Sequence, residues 1–274
     1  MSTLKLPYLA EPAVLYQQIE HGAVAPELII IDVGSAENYA RGHVPGAIHL
    51  PYAWLVSGAP PAPGTMANTD QLEKVIDHLG ITPQSHVVVY DDDGGGHAGR
   101  LLWTLDLIKH PHMSYLNGGL HAWAGDGLPL QTEPNQPQPT RNQYQWDFAA
   151  RATKDDILAE LGQSDFAVWD ARNPTEYRGE NVQALRGGHI PDAINVEWTN
   201  LLDPGQNLRI RKDAKEYLAK HGLTEHQRIV THCQAHRRSS LTYLAGKSLG
   251  FNIRGYDGSW GDWGNDPNTP IDAP

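Results

Sequence analysis

The chain has 274 residues, a formal net charge of −11 and a single cysteine. This length suits one large domain or two ordinary ones. A lone cysteine excludes an internal disulfide and any cysteine-rich zinc or iron–sulfur site, and it leaves no second thiol for a disulfide cycle. The acidic charge argues against nucleic acids and anionic membranes as partners. No apolar run approaches the ~20 residues that a membrane-spanning helix needs.

The start of the chain, residues 1–8, carries no long apolar stretch, so we expect no signal peptide. Together with the absence of disulfides, this favours a cytoplasmic protein. The sequence predicts no metal and no cofactor. The acidic run Asp91–Asp93 precedes three glycines, and we interpret it as a solvated turn rather than a cation site.

In the first half, residues 28–33 and 86–90 are short apolar runs typical of strands buried on both faces. Between them, apolar residues recur at the spacing of one helix face: Leu72, Val75, Ile76 and Leu79. The helix is expected to begin with Thr69 or Asp70 as its cap.

The second half repeats this alternation. Thr153 followed by Asp156 resembles a capping box and predicts a helix start. Residues 167–170 and 228–232 are the corresponding strand candidates. Strands that alternate with helices predict an α/β fold in which each half has a parallel sheet flanked by helices on both faces.

The two halves share landmarks in the same order, which indicates an internal duplication. Matching segments are 29–32 and 167–170, 42–48 and 188–194, 80–82 and 222–224, 87–90 and 228–231, and 115–123 and 255–263. A proline-containing polar stretch separates the copies. The predicted division is an N-terminal domain over 1–130, a linker over 131–151 and a C-terminal domain over 152–274.

Cys233 follows the last strand candidate and precedes a basic loop, His236-Arg237-Arg238, and a possible helix start near Arg238 or Ser239. Ligands of such folds bind at the carboxyl ends of the strands. The arginines, the loop N–H groups and the helix N-terminus would each favour a thiolate, so we expect a thiol pKa below its usual value. A thiolate in this setting is a nucleophile that needs no separate base.

The basic cluster predicts a small anionic substrate. The tyrosine-phosphatase signature has an arginine six positions after its cysteine, whereas this chain has Ser239 there and Arg238 one position earlier. A tighter loop has less room for a tetrahedral phosphoryl group and suits one additional sulfur atom on Cys233.

The chain resembles a tandem-domain rhodanese, a thiosulfate:cyanide-type sulfurtransferase, over nearly its whole length. The resemblance lies in the two Gly-His-[Val/Ile]-Pro-x-Ala-Ile segments, in Cys233 at a strand end, and in residues 118–123 and 258–263. It implies that only the C-terminal copy is catalytic, because Asp91–Asp93 stand where the first copy would carry its cysteine. The loop is similar to a bacterial variant of Cys-Gln-x-His-x-Arg form.

The resemblance also implies site roles. Cys233 is the expected catalytic nucleophile, which takes sulfane sulfur from thiosulfate or a related donor and passes it to cyanide or to a small-molecule or protein thiol. The expected substrate-binding residues are Gln234, Ala235, His236, Arg237, Arg238 and Ser239. Many relatives place a substrate-binding arginine where this chain has Glu176. The sequence leaves open whether Arg178 or Arg186 takes the role of that arginine.

Alternatives remain for several residues and for the whole chain. His236 is either a group that tunes the thiol or a solvated loop residue, whereas His43 and His189 occur in both copies and are expected to be structural. The alternative functions are a mercaptopyruvate sulfurtransferase, a cysteine-dependent phosphatase or arsenate reductase, and a thiol-based sensor or interaction module.

Overall fold

The structure is a computed structural model that describes residues 6–23 and 26–273. Residues 1–5 lie outside the described part, and the expectation about a signal peptide falls partly on them. Within the described part, no helix combines the length and the apolar character needed to cross a membrane.

The first copy alternates strands and helices as predicted. Its strands and helices are β1 (Leu9–Ala10), α1 (Pro12–Glu20), β2 (Leu28–Asp32), α2 (Ala36–Arg41), β3 (Ile48–His49), α3 (Thr69–His78), β4 (His86–Tyr90), α4 (Gly96–Asp106), β5 (Met113–Leu116) and α5 (Gly119–Gly125). The strands form one parallel sheet in the order β1-β5-β4-β2-β3.

The second copy follows the same plan. Its strands and helices are α6 (Lys154–Glu160), β6 (Phe166–Asp170), α7 (Pro174–Tyr177), β7 (Ile194–Asn195), β8 (Leu202–Asp203), β9 (Arg209–Ile210), α8 (Ala214–Lys220), β10 (Arg228–His232), α9 (Arg238–Ser248), β11 (Asn252–Gly255) and α10 (Ser259–Trp263). A parallel sheet runs in the order β11-β10-β6-β7, and β8 pairs with β9 alone.

Each copy has its own apolar core, as parallel sheets covered on both faces require. In the first copy, Leu15, Val88 and Trp123 belong to one buried cluster. In the second copy, a separate buried cluster contains Ile157, Val230 and Trp263. The expected α/β fold with helix-flanked parallel sheets is therefore confirmed.

The chain divides into two compact units, and each unit contains a segment from the other copy. Unit 1 comprises 1–55, 67–147 and 203–209, and unit 2 comprises 56–66, 148–202 and 210–274. The sequence did not predict these two exchanged segments. The boundaries at 130 and 152 and the linker 131–151 remain predictions.

Two local expectations need correction. The cap of α3 is Asn68, whose side chain accepts the N–H of Gln71, so Thr69 already lies inside the helix. The expected match of 87–90 with 228–231 is shifted by one residue. The sheet pairs Tyr90 with Asp32 and His232 with Asp170, so β4 is equivalent to β10 and Asp91 is equivalent to Cys233.

The repeated histidines are structural, as predicted. His43 Nδ1 lies 2.8 Å from the Tyr39 carbonyl oxygen, and its ring stacks on the Tyr39 ring at 3.8 Å. His189 makes the same two contacts with Tyr177, at 2.9 and 3.7 Å. The predicted capping box at Thr153 and Asp156 is also present.

Candidate active site

Cys233 lies at the carboxyl end of β10, between this strand and the start of α9 at Arg238. Strand β10 pairs with β6 on one side and with β11 on the other, so Cys233 follows an inner strand of the sheet. The residue is buried, with a relative exposure of 1%. The helix begins where the sequence predicted, and residues 234–237 form a short loop around the thiol.

A second segment, residues 256–261, holds this loop in place. The Ser259 hydroxyl oxygen accepts the N–H groups of Cys233, at 3.3 Å, and His236, at 3.0 Å. The N–H groups of Trp260 and Gly261 donate to the carbonyl oxygens of Cys233 and Gln234, at 2.9 and 3.0 Å. These four hydrogen bonds tie the loop to the 256–261 segment.

His236 is part of the loop framework. Its φ is 49°, in the left-handed region, and its side chain is fully buried. Its Nδ1 lies 2.8 Å from the Ser239 hydroxyl, and its carbonyl oxygen accepts the Ser240 hydroxyl at 2.5 Å. The alternative of a solvated loop residue is therefore wrong.

The site favours the thiolate. Burial raises the pKa of Cys233, but the charge of Arg238, the Ser239 hydroxyl and the N–H groups of Ser239 and Ala235 outweigh it and lower the pKa below its usual value. The sequence predicted Arg238 and the loop N–H groups around the sulfur but not the Ser239 hydroxyl, and the pKa is shifted in the expected direction.

Arg238 contacts a carboxylate as well as the thiol. Its two terminal nitrogens donate to the two oxygens of Glu176, at 2.6 and 2.8 Å. Burial alone would lower the pKa of Arg238, but Glu176 and Cys233 raise it. Arg238 is therefore always charged, and its charge is shared between Glu176 and the sulfur.

The other proposed arginines have different surroundings. Arg178 pairs with Glu180 at 2.6 Å, and both side chains are exposed. Arg186 donates to the carbonyl oxygens of Trp263, Asp266 and Thr269 and so ties its segment to the end of the chain. Substrate contact by Arg178 and by the exposed Arg237 stays a prediction.

The remaining loop residues contact neighbouring backbone. Gln234 Nε2 donates to the Gln183 carbonyl oxygen at 3.0 Å. The carbonyl of Ala235 packs so closely on Gly64 that a Cβ at position 64 would overlap it. Gly64 belongs to the 56–66 segment of unit 2. The sequence contains no pattern that identifies this glycine, because its role depends on a contact between residues 171 positions apart.

A buried polar cluster lies at the ends of β6 and β10, where His232 directly precedes Cys233. Arg172 donates to Asp170 at 2.7 Å and lies over the Trp260 ring at 4.3 Å. Burial raises the pKa of Asp170, but His232 and Arg172 lower it overall, and burial lowers the pKa of His232. Arg172 and Ser259 were not singled out from the sequence, although both lie within or beside a repeated landmark.

The equivalent loop in the first copy has no thiol, and a carboxylate occupies its centre. Asp91 Oδ1 accepts the N–H groups of Asp93 and Gly95, at 3.1 and 2.8 Å, and Oδ2 accepts that of Ala98 at 2.9 Å. Asp91 is buried, so the expectation of a solvated turn is wrong for this residue. In both copies the loop N–H groups point at the side chain of the loop's first residue, which is Asp91 in the first copy and Cys233 in the second.

Across 6–23 and 26–273, no group of three or more His, Cys, Asp or Glu side chains is arranged to hold a metal ion.

Comparisons with known proteins agree with this architecture. The family model for the rhodanese-like domain matches twice, over residues 11–126 and 153–266. The chain therefore belongs to the rhodanese-like family, with two tandem domains.

Among similar curated proteins is the thiosulfate sulfurtransferase of Azotobacter vinelandii, 47% identical over 268 residues and 97% of both chains. The thiosulfate sulfurtransferase of Pseudomonas aeruginosa is 46% identical over 269 residues and 98% of both chains. The crystal structure of YnjE shares the fold with a TM-score of 0.84 at 20% identity, covering 98% of this chain and 70% of that one.

Proposed function

We propose that this chain is a thiosulfate sulfurtransferase that carries sulfane sulfur on Cys233. The observation that supports the proposal most directly is a buried cysteine with a lowered thiol pKa, at a strand end, within a loop of N–H groups and beside Arg238. The full-length relatives named thiosulfate sulfurtransferase support the same activity.

The reaction is a double displacement. The Cys233 thiolate attacks the outer sulfur of thiosulfate, a new S–S bond forms, and the original S–S bond breaks. Its electron pair leaves with sulfite, and a Cys233 persulfide remains. Cyanide, or a thiolate, then attacks the outer persulfide sulfur and regenerates the Cys233 thiolate.

The surrounding residues have defined roles in this scheme. The N–H groups of Ala235 and Ser239, which stabilise the thiolate, also stabilise the terminal sulfur of the persulfide. Arg238, assisted by Arg237, attracts the anionic donor and stabilises the sulfite that leaves. The acceptor is a small molecule or a protein thiol, and we place the enzyme in the cytoplasm.

The donor is tested by comparing kcat/KM for thiosulfate and 3-mercaptopyruvate with the same acceptor. We expect the higher value for thiosulfate, with release of sulfite. A higher value for 3-mercaptopyruvate would identify a mercaptopyruvate sulfurtransferase, and sulfite release without any dependence on Cys233 would reject the mechanism.

A further inference from the structure

The site contains a buried carboxylate where an anionic substrate would be expected to find only positive charge. Glu176 is 4% exposed, and both of its oxygens accept hydrogen bonds from Arg238. Arg238 is also the charged group that contributes to lowering the Cys233 pKa. Glu176 and the sulfur of Cys233 therefore share one cation.

The position of Glu176 is fixed independently of Arg238. It is the third residue of α7, and the capping box of this helix joins it to Asn173 in both directions. The Asn173 side chain accepts the N–H of Glu176 at 2.9 Å, and the N–H of Asn173 donates back to the Glu176 carboxylate at 3.3 Å. The carboxylate is held in place and is not a mobile side chain that an anion could displace at little cost.

We propose that Glu176 is a specificity-determining residue that acts as an internal counter-anion. It competes with the sulfonate of the donor and with departing sulfite for Arg238. This inference rests on the proposed sulfurtransferase function. By reducing the positive charge available to substrate, Glu176 weakens the binding of anionic donors and of the anionic product alike.

The local charges support this reading. A bidentate arginine–carboxylate pair is among the strongest polar contacts in proteins, and burial reduces its screening by solvent. Arg172, which follows β6, is likewise paired with the buried Asp170. Arg172 and Arg238 are therefore both neutralised by buried carboxylates.

The test uses Glu176→Gln in the full-length chain, with Glu180→Gln as the matched control. Both substitutions remove one negative charge from a carboxylate paired with an arginine, but the Arg178–Glu180 pair is exposed. Cys233 is alkylated with iodoacetate, which is anionic, and with iodoacetamide, which is neutral. The ratio of the two rates reports the local electrostatic potential at the thiol without any sulfur donor.

For Glu176→Gln we expect the iodoacetate-to-iodoacetamide ratio to rise about tenfold, as one charge at this range allows after partial screening. We also expect a lower KM for thiosulfate and stronger product inhibition by sulfite, whereas Glu180→Gln changes none of these quantities appreciably. An unchanged or lower ratio in Glu176→Gln would overturn the inference.

Two further variants separate charge from folding. Asn173→Ala breaks the capping box but keeps the Glu176 charge and its pair with Arg238, so we expect a lower Tm and an alkylation ratio well below that of Glu176→Gln. If Glu176→Gln does not fold, Glu176→Met, which removes the charge at similar length, is used for the same measurement. A higher ratio without any sulfur transfer would reject the proposed function and leave only the effect of Glu176 on the charge of the site.

Discussion

Several polar groups around the sulfur together lower the pKa of Cys233 and outweigh the opposite effect of burial. The Arg238 charge acts at one side of the sulfur, and the Ser239 hydroxyl and two loop N–H groups act at others. Because the thiol is buried, these polar groups face little competition from water. Loss of a single hydrogen-bond donor should therefore raise the pKa of Cys233 by a measurable amount.

Replacement of Ser239 by alanine removes one hydrogen bond to the thiolate and the contact with His236 Nδ1. The pKa of Cys233 should rise, and the rate of its alkylation by iodoacetamide at pH 7 should fall about three- to tenfold. The control is Ser248→Ala, a serine at the other end of α9 whose hydroxyl donates to the Ala245 carbonyl. Equal rates in Ser239→Ala and the parent would contradict this account.

At the scale of single residues, the sequence was sufficient to place Cys233 after a strand end and Arg238 at a helix start. It was insufficient for the partners of these residues. Glu176 pairs with Arg238 only because distant segments fold together. The same holds for the packing of Gly64 on Ala235. No local pattern records such contacts.

At the scale of elements, equivalent strands of the two copies end in aspartates whose pKa values are shifted in opposite directions. Asp32 ends β2 and Asp170 ends β6. Burial raises the pKa of Asp32 to about 7, and its hydrogen bonds to Gly34 and Tyr90 offset only part of that increase. The pKa of Asp170 is lowered because Arg172 occupies the position of Gly34 and His232 replaces Tyr90.

The raised pKa of Asp32 makes stability depend on pH. Between about pH 4 and pH 7 the folded chain binds a proton at Asp32 that the unfolded chain has released, so the free energy of unfolding falls as the pH rises through this range. Asp32→Asn removes this pH-dependent contribution. As the pH rises from 4 to 7, the free energy of unfolding of the variant should therefore increase by about 2–4 kcal/mol relative to that of the parent.

The measurement is urea unfolding of parent and variant at several pH values. Asp70→Asn changes an exposed aspartate of α3 and should keep the parental pH dependence. A parental slope in Asp32→Asn would show that Asp32 is already ionised at low pH in the folded chain.

The strands and helices themselves were largely predictable. The buried strands are continuous apolar runs, and the α3 face and the Thr153 capping box follow from residue spacing. The cap at Asn68 was misplaced by one residue because Thr69 and Asp70 are also good cap residues. The one-residue shift between β4 and β10 was missed because Val87–Val89 match either register; only the pairing with β2 and β6 fixes it.

At the scale of the whole molecule, duplication explains why a chain of this size has one thiol. In both copies a helix begins five positions after the central residue of the loop, at Gly96 and at Arg238. In the first copy the loop N–H groups bind the Asp91 carboxylate. In the second copy the N–H groups of Ala235 and Ser239 lie against Cys233, so we expect only that copy to accept a transferred sulfur.

The central claim is that the chain carries one sulfur atom on Cys233, and intact-mass measurement after incubation with thiosulfate tests it directly. We expect the mass of the parent to increase by one sulfur atom, cyanide to remove that sulfur as thiocyanate, and Cys233→Ala to show no increase. No adduct on the parent, or an adduct that persists in Cys233→Ala, would contradict the account.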